Sequence, residues 1–169
     1  MVIVPLNSRI HDRSGFDCGI KPLNNFLKLT ANQLGEREHS RSYVLVDPIQ
    51  PSQIIGFYTL TMINFQLDNL PLTLQNKHKF VESAGLISRL AVDKRFQGKR
   101  FGSKLLVDAL VNLKRAAEIV GFPVVFVDAK EGRADFYSQY GFEPIDQQRL
   151  FMTVAAIRKM LSKYLSDVA

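Results

Sequence analysis

The chain has little of what marks several protein classes. A single cysteine, Cys18, among 169 residues allows no internal disulfide and fits a reducing compartment. No apolar stretch approaches the ~20 residues that a bilayer span requires, and the opening Met1-Val-Ile-Val-Pro-Leu6 lacks the basic region and apolar run of a signal peptide. A soluble, cytoplasmic protein with no membrane role is expected. Repeats and low-complexity tracts are absent, and the Pro-containing stretches at 47–52 and 67–71 are too short for domain linkers, so one domain over residues 1–169 is the expectation. His11, His39 and His78 are scattered, without ligand spacing and without a cluster of Cys, Asp or Glu, so no metal site is expected.

What is present is the composition of a folded, basic domain. Hydrophobic residues make up 46% of the chain and charged residues 22%, which excludes disorder, collagen and coiled coil. Lys and Arg number 22 against 16 Asp and Glu, and the resulting +6 points to an anionic partner such as a nucleotide or a nucleic acid.

Periodicity gives the element order. Val2–Leu6 reads as a strand and Ile20–Leu34 as a helix, with Pro22 in its first turn and Leu23, Phe26, Leu27, Ala31 and Leu34 on one face. Ser42–Val46 and Ile54–Leu60 read as an antiparallel hairpin. Residues 63–83 read as a loop or short helical excursion, and Leu86–Val92 as a strand. A helix follows from about Gly102 to Val120, with Leu105, Leu106, Ala109, Leu110, Leu113, Ala117 and Val120 at helical spacing and Gly121 placed to stop it. The apolar Pro123–Asp128 suits a strand buried on both faces, so 86–128 forms a candidate parallel crossover. A short helix at Arg133–Tyr140, a strand at Leu150–Val154 and a helix at Ala156–Leu165 close the chain. The fold class is α/β with a mixed α+β order and helices on both faces of the sheet.

The stretch Leu90–Lys104 runs from a strand through a basic, glycine-containing loop into a helix. Backbone N–H groups at such a helix start favour a phosphate or pyrophosphate. Gly98 and Gly102 permit close approach, and Lys94, Arg95, Lys99, Arg100 and Lys104 add charge. A Walker loop is excluded, because three residues rather than four separate the glycines and Ser103-Lys104 follows them; the dinucleotide fingerprint Gly-x-Gly-x-x-Gly is also absent. Read bare, the loop is either a phosphate site or a solvated basic turn.

Gln97-Gly-Lys-Arg-Phe-Gly102 resembles the Gln/Arg-x-x-Gly-x-Gly/Ala signature of the GNAT N-acetyltransferases, with Arg100 at the family's central glycine. Phe136-Tyr137 before Gly141-Phe142 resembles that family's Phe-Tyr-x-x-x-Gly-Phe element. Asp12–Gly19, Leu23–Leu27, Ser88–Asp93 and Val127–Lys130 are similar to the acetyltransferase toxins of bacterial toxin–antitoxin modules, so the resemblance spans about residues 11–160. It implies a mixed, mostly antiparallel sheet with a central splayed parallel strand pair where the cofactor enters. It also implies acetyl-CoA as donor, the α-amino group of an aminoacyl-tRNA as acceptor, arrest of translation, a ribbon-helix-helix antitoxin and a homodimer. Alternatives within the fold are an acetyltransferase acting on a protein N-terminus or small amine, and a non-catalytic acyl-CoA-binding module.

Carried over by position, the resemblance places Leu90, Ala91 and Val92 along the pantetheine arm. Arg95, Gln97, Gly98, Lys99, Arg100, Phe101, Gly102 and Ser103 go to the pyrophosphate, and Phe136 to the cofactor site. Tyr137 takes the role of proton donor to the departing thiolate, with Tyr140 as alternative. No general base stands out. An α-amine of pKa ~7.7 to 8.0 is about one-tenth neutral at pH 7, where a lysine amine is almost wholly charged, so water can suffice as proton acceptor. For tRNA the candidates are Arg37, Arg41, Lys77, Lys79, Arg89 and Arg133, with Arg149 added. Cys18 is expected to pack rather than react.

Overall fold

A computed structural model describes residues 1–168; Ala169, the end of the expected domain, lies outside the described residues. Seven strands form one sheet: β1 (Val2–Pro5), β2 (Arg41–Asp47), β3 (Gln50–Asn64), β4 (Ser83–Val92), β5 (Val124–Asp128), β6 (Glu143–Pro144) and β7 (Arg149–Thr153), in the order β1-β2-β3-β4-β5-β7-β6. The expected mixed sheet is present. β1 pairs antiparallel with β2, β2 with β3, β5 with β7 and β6 with β7, whereas β4 and β5 run parallel from Gly85↔Val125 to Ile87↔Val127.

The helices are α1 (Lys21–Asn25), α2 (Ala31–Glu36), α3 (Leu72–Lys77), α4 (Phe101–Val120), α5 (Ala134–Ser138) and α6 (Val154–Val168). The chain divides into two compact units, Met1–Thr61 with Ser88–Ala109 and Met62–Ile87 with Leu110–Ala169, so β3, β4 and α4 supply residues to both.

In the first unit, Phe57 of β3 centres the core, with Phe16 edge-on at 5.4 Å and Phe26 stacked at 6.3 Å. Leu23, Leu27, Ala31, Val44, Val46, Ile54 and Ala91 complete it. The helix expected over 20–34 is interrupted by a π-helical turn, Phe26–Thr30, whose extra residue is bridged by the Ala31 N–H donating to Phe26 O. That turn re-phases the apolar face so that Leu23, Phe26, Leu27 and Ala31 are all buried. Gly56 is required by close packing: a Cβ there would lie 2.9 Å from Ala91 O on β4 and 2.8 Å from Leu105 Cδ1 on α4.

The second unit packs Leu70, Ala84, Leu86, Val124, Phe126 and Phe151 together, with Phe65 edge-on to Phe126 at 5.3 Å. The 63–83 stretch is the end of β3, a 3-10 turn at Leu67–Asn69 and α3, pinned by the buried Leu70. β5 is buried on both faces from Val124 to Val127, as its composition implies. Two boundaries differ from the sequence pattern. Val120 is 69% exposed rather than on the buried face, because Gly121 at φ 76° turns the chain and Phe122 takes the core position instead. The last helix starts at Val154, where Thr153 Oγ1 accepts the Ala156 N–H at 3.1 Å, and it continues past Leu165 to Val168.

Candidate active site

Between β4 and α4 lie eight residues, Asp93–Arg100. Lys94–Phe96 forms a 3-10 turn capped by the Asp93 carboxylate. Gly98 then stands at φ 77° and Arg100 at φ 61°, both in the left-handed region. The position where the GNAT signature has glycine therefore keeps a glycine-like backbone, although an L side chain there costs about 1–2 kcal/mol. The turn delivers the chain into α4, whose first N–H groups, from Phe101, Gly102 and Ser103, have no acceptor within the helix. Lys99 and Arg100 are exposed beside them, and Phe101, Gly102 and Ser103 are half-buried. Backbone N–H groups without helical acceptors beside two exposed cations, with Lys99 Nζ 5.6 Å over the Phe96 ring, are a combination chemically suited to an anion.

Two other positions assigned to this loop, Arg95 and Gln97, make structural ties. The Arg95 guanidinium lies on Asp93, with Nε 2.9 Å from Oδ1 and Nη2 2.8 Å from Oδ2. Gln97 Nε2 donates to Val92 O at 2.9 Å and to Cys18 O at 3.2 Å. Ala91 is buried in the first unit's core, with Leu90 and Val92 half-buried on either side.

In the second unit α5 presents Tyr137, which is only 6% exposed. Its ring meets Phe136 edge-on at 5.0 Å and Phe142 at 6.0 Å. The Phe142 contact depends on Gly141, whose φ of 97° reverses the chain after α5. The Phe-Tyr-x-x-x-Gly-Phe spacing thus encodes an aromatic box around one phenol. Burial pushes the Tyr137 hydroxyl up to about 12, opposed only in part by the Arg133 cation, so it stays a proton-bearing donor across the biological range. Tyr140 is half-buried, its ring 5.6 Å from Phe136.

The basic candidates divide by environment. Arg37, Lys77, Lys79 and Arg133 are exposed. Arg41 is paired with Glu38 and donates to Gly35 O at 2.7 Å. Arg89 is half-buried with its guanidinium 4.4 Å over the Phe26 ring. Arg149 makes a two-point ion pair with Asp128, at 2.7 and 2.9 Å, and so acts as a brace between β5 and β7.

Cys18 is buried with its thiol donating to Ile20 O, and burial pushes the thiol up, which disfavours a nucleophilic role. His11 is buried, accepts the Asn7 N–H at Nδ1, and is lowered by burial. Among the described residues no group of three or more His, Cys, Asp or Glu is placed to hold a metal ion, and no helix is long and apolar enough to cross a membrane.

Sequence reasoning missed Asp93, a fully buried carboxylate, and the segment Gly15–Gly19 that it holds. The available signal was an Asp directly after an apolar strand and before Lys-Arg, which is where a turn takes a side-chain cap.

Residues 38–144 match the family described as acetyltransferase (GNAT) domain. The chain belongs to the GNAT acetyltransferases. This acetyltransferase is 32% identical to a probable toxin TacT of Sinorhizobium fredii, over 95% of this chain and 94% of that one. It is 29% identical to a tRNA-acetylating toxin of Mycobacterium tuberculosis, over 89% and 90%. Among solved structures, a tyrosine-to-phenylalanine mutant of KacT superimposes with TM-score 0.85 at 29% identity, covering 94% of this chain and 98% of that one. AtaT complexed with acetyl-methionyl-tRNA superimposes at 0.84 with 28% identity and the same coverages. AtaTR bound with acetyl-CoA does so at 0.80 with 27% identity, covering 94% and 96%.

Proposed function

We propose that this GNAT acetyltransferase moves the acetyl group of acetyl-CoA to the α-amino group of an aminoacyl-tRNA and so acts as a translation-blocking toxin, with residues 1–169 working as one catalytic domain. The observation that carries the reading is near full-length similarity to AtaT, a protein seen with acetyl-methionyl-tRNA. The left-handed pair Gly98 and Arg100 leading into α4 supports the donor half of it.

Acetyl-CoA supplies an activated acyl group as a thioester. Leu90, Ala91 and Val92 of β4 take the pantetheine arm, and the Gly98–Ser103 backbone takes the pyrophosphate, with Lys99 and Arg100 adding charge. Phe136 packs against Tyr137 on the cofactor side, and Arg95 and Gln97 hold the loop's shape. The neutral amine forms the new C–N bond as the C–S bond breaks; the amine proton leaves to water, and Tyr137 gives its proton to the departing sulfur. Arg37, Lys77, Lys79, Arg133, Arg89 and Arg41 bind the tRNA backbone. Relatives seen with AtaR and KacA support a cognate antitoxin. We infer that it is of the ribbon-helix-helix type, that the toxin is a homodimer, and that both work in the cytoplasm, where aminoacyl-tRNA is found.

The test is transfer of labelled acetyl from acetyl-CoA to total bacterial tRNA, charged and deacylated, with release of the label by mild alkali. Label on charged tRNA alone supports the reading. Absence of label despite acetyl-CoA binding moves the acceptor to peptides or small amines.

A further inference from the structure

Every residue of the loop from Lys94 to Arg100 is exposed except the half-buried Phe96, so packing does not hold its shape. Hydrogen bonds do, and they converge on one group. The Asp93 carboxylate, 0% exposed, accepts the Arg95 N–H at 3.0 Å, Arg95 Nε at 2.9 Å, Arg95 Nη2 at 2.8 Å and the Asp17 N–H at 3.0 Å. The last bond reaches across to the segment Gly15–Gly19, and further ties follow the same seam. The Lys94 N–H donates to Asp17 O at 2.8 Å, Lys94 Nζ lies 2.6 Å from Asp17 Oδ2, Arg95 Nη2 reaches Gly15 O at 3.4 Å, and Gln97 Nε2 reaches Cys18 O. Asp17 Oδ1 in turn accepts the Gly19 N–H and Asn24 Nδ2, which fixes the segment to α1.

We infer that Asp93 is a positioning residue: it clamps the Gly15–Gly19 strap to the base of the loop and thereby sets the backbone that receives the cofactor's pyrophosphate. The inference rests on the donor site proposed above. Asp93 faces no reacting atom, and its effect is confined to the phosphate-bearing end of the donor. A buried carboxylate with four donors has no room for a neutral substitute that preserves every bond, because an amide keeps one acceptor oxygen and turns an N–H₂ toward the remaining donors. Arg95 belongs to the same clamp, since both of its short contacts are to this carboxylate.

The test compares two acetyl donors, acetyl-CoA and S-acetyl-pantetheine, which shares the thioester and arm but lacks the pyrophosphate. For Asp93→Asn the KM for acetyl-CoA is expected to rise about tenfold, the scale of one charged hydrogen bond. Its kcat, and its kcat/KM with S-acetyl-pantetheine, are expected to stay within about twofold of wild type. Equal loss with both donors, or an unchanged KM for acetyl-CoA, overturns the inference. Asp17→Asn, at a half-exposed position of the same strap, gives the second reading should Asp93→Asn not fold; donor-selective loss supports the clamp, and an equal or null effect overturns it. Calorimetry of wild type with acetyl-CoA separates the two levels. Wild type that fails to bind acetyl-CoA sinks the proposed donor site, whereas binding wild type with an unselective variant sinks only the role of Asp93.

Discussion

Gly98 and Arg100 share the left-handed backbone, at φ 77° and 61°, two residues apart in the turn that feeds α4. Glycine bears that conformation freely, and arginine does not. Arg100→Gly is therefore expected to raise stability by about 1 kcal/mol, less what the more flexible unfolded chain takes back, or about 2–4 °C in Tm for a chain of this size. At the same time acetyl-CoA binding should weaken and depend less on salt, because the proposed pyrophosphate site loses a cation. Calorimetric melting and titration at two ionic strengths check both halves; a lower Tm would show that the strain at Arg100 is smaller than the entropy glycine returns to the unfolded chain.

The sequence pattern reached the element order because most elements are long or strongly periodic. β5 announces itself by an unbroken apolar run, and α4 by a 3.6-residue stripe closed by Gly121. What it missed was of two physical kinds. The two-residue β6 is too short to carry a period, and the π turn at Phe26–Thr30 adds one residue without changing composition. The roles of Arg95, Arg149 and Asp93 depend on partners, with Asp17 to Asp93 bridging 76 positions of chain, and no local pattern records such pairings. The aromatic surroundings of Tyr137 are legible because Phe136, Phe142 and the turning Gly141 are all local.

Tyr137→Phe should leave folding and acetyl-CoA affinity intact while lowering acetyl transfer by about 10²-fold or more, the usual scale of a lost general acid. The ring contacts to Phe136 and Phe142 survive the change, so a Tm within a few degrees of wild type is expected. Tyr140→Phe serves as the control and should turn over normally. Near wild-type transfer by Tyr137→Phe, with Tyr140→Phe impaired, would hand the proton to Tyr140.

The pH profile of kcat/KM should rise through the α-amine's deprotonation near pH ~7.7 to 8.0 and then stay level. Burial holds Tyr137 at about 12, above the ~10 of a free phenol, so the donor form is complete below ~10 and is lost only as pH passes through the higher value. The stability linked to this phenol has the same sign and the same window. An acceptor carrying a 3′-amide in place of the labile ester allows the measurement to pH 10. An alkaline fall centred near pH 9 would contradict a buried tyrosine donor.

Salt dependence separates the cations that meet tRNA from those that brace the fold. A phosphate contact contributes roughly 0.7–0.9 to the slope of log K against log salt, so Arg37→Ala, Lys77→Ala and Lys79→Ala should each flatten that slope by about one and weaken charged-tRNA binding. Arg41 must first leave Glu38, which already neutralises it, so Arg41→Ala should change the slope by less than half as much. Arg149→Ala should leave the slope alone and lower Tm instead, because its guanidinium ties Asp128 across β5 and β7. Binding titrations from about 50 to 200 mM salt distinguish these outcomes. A flattened slope for Arg149→Ala, or none for the three exposed residues, would overturn this division of the cations.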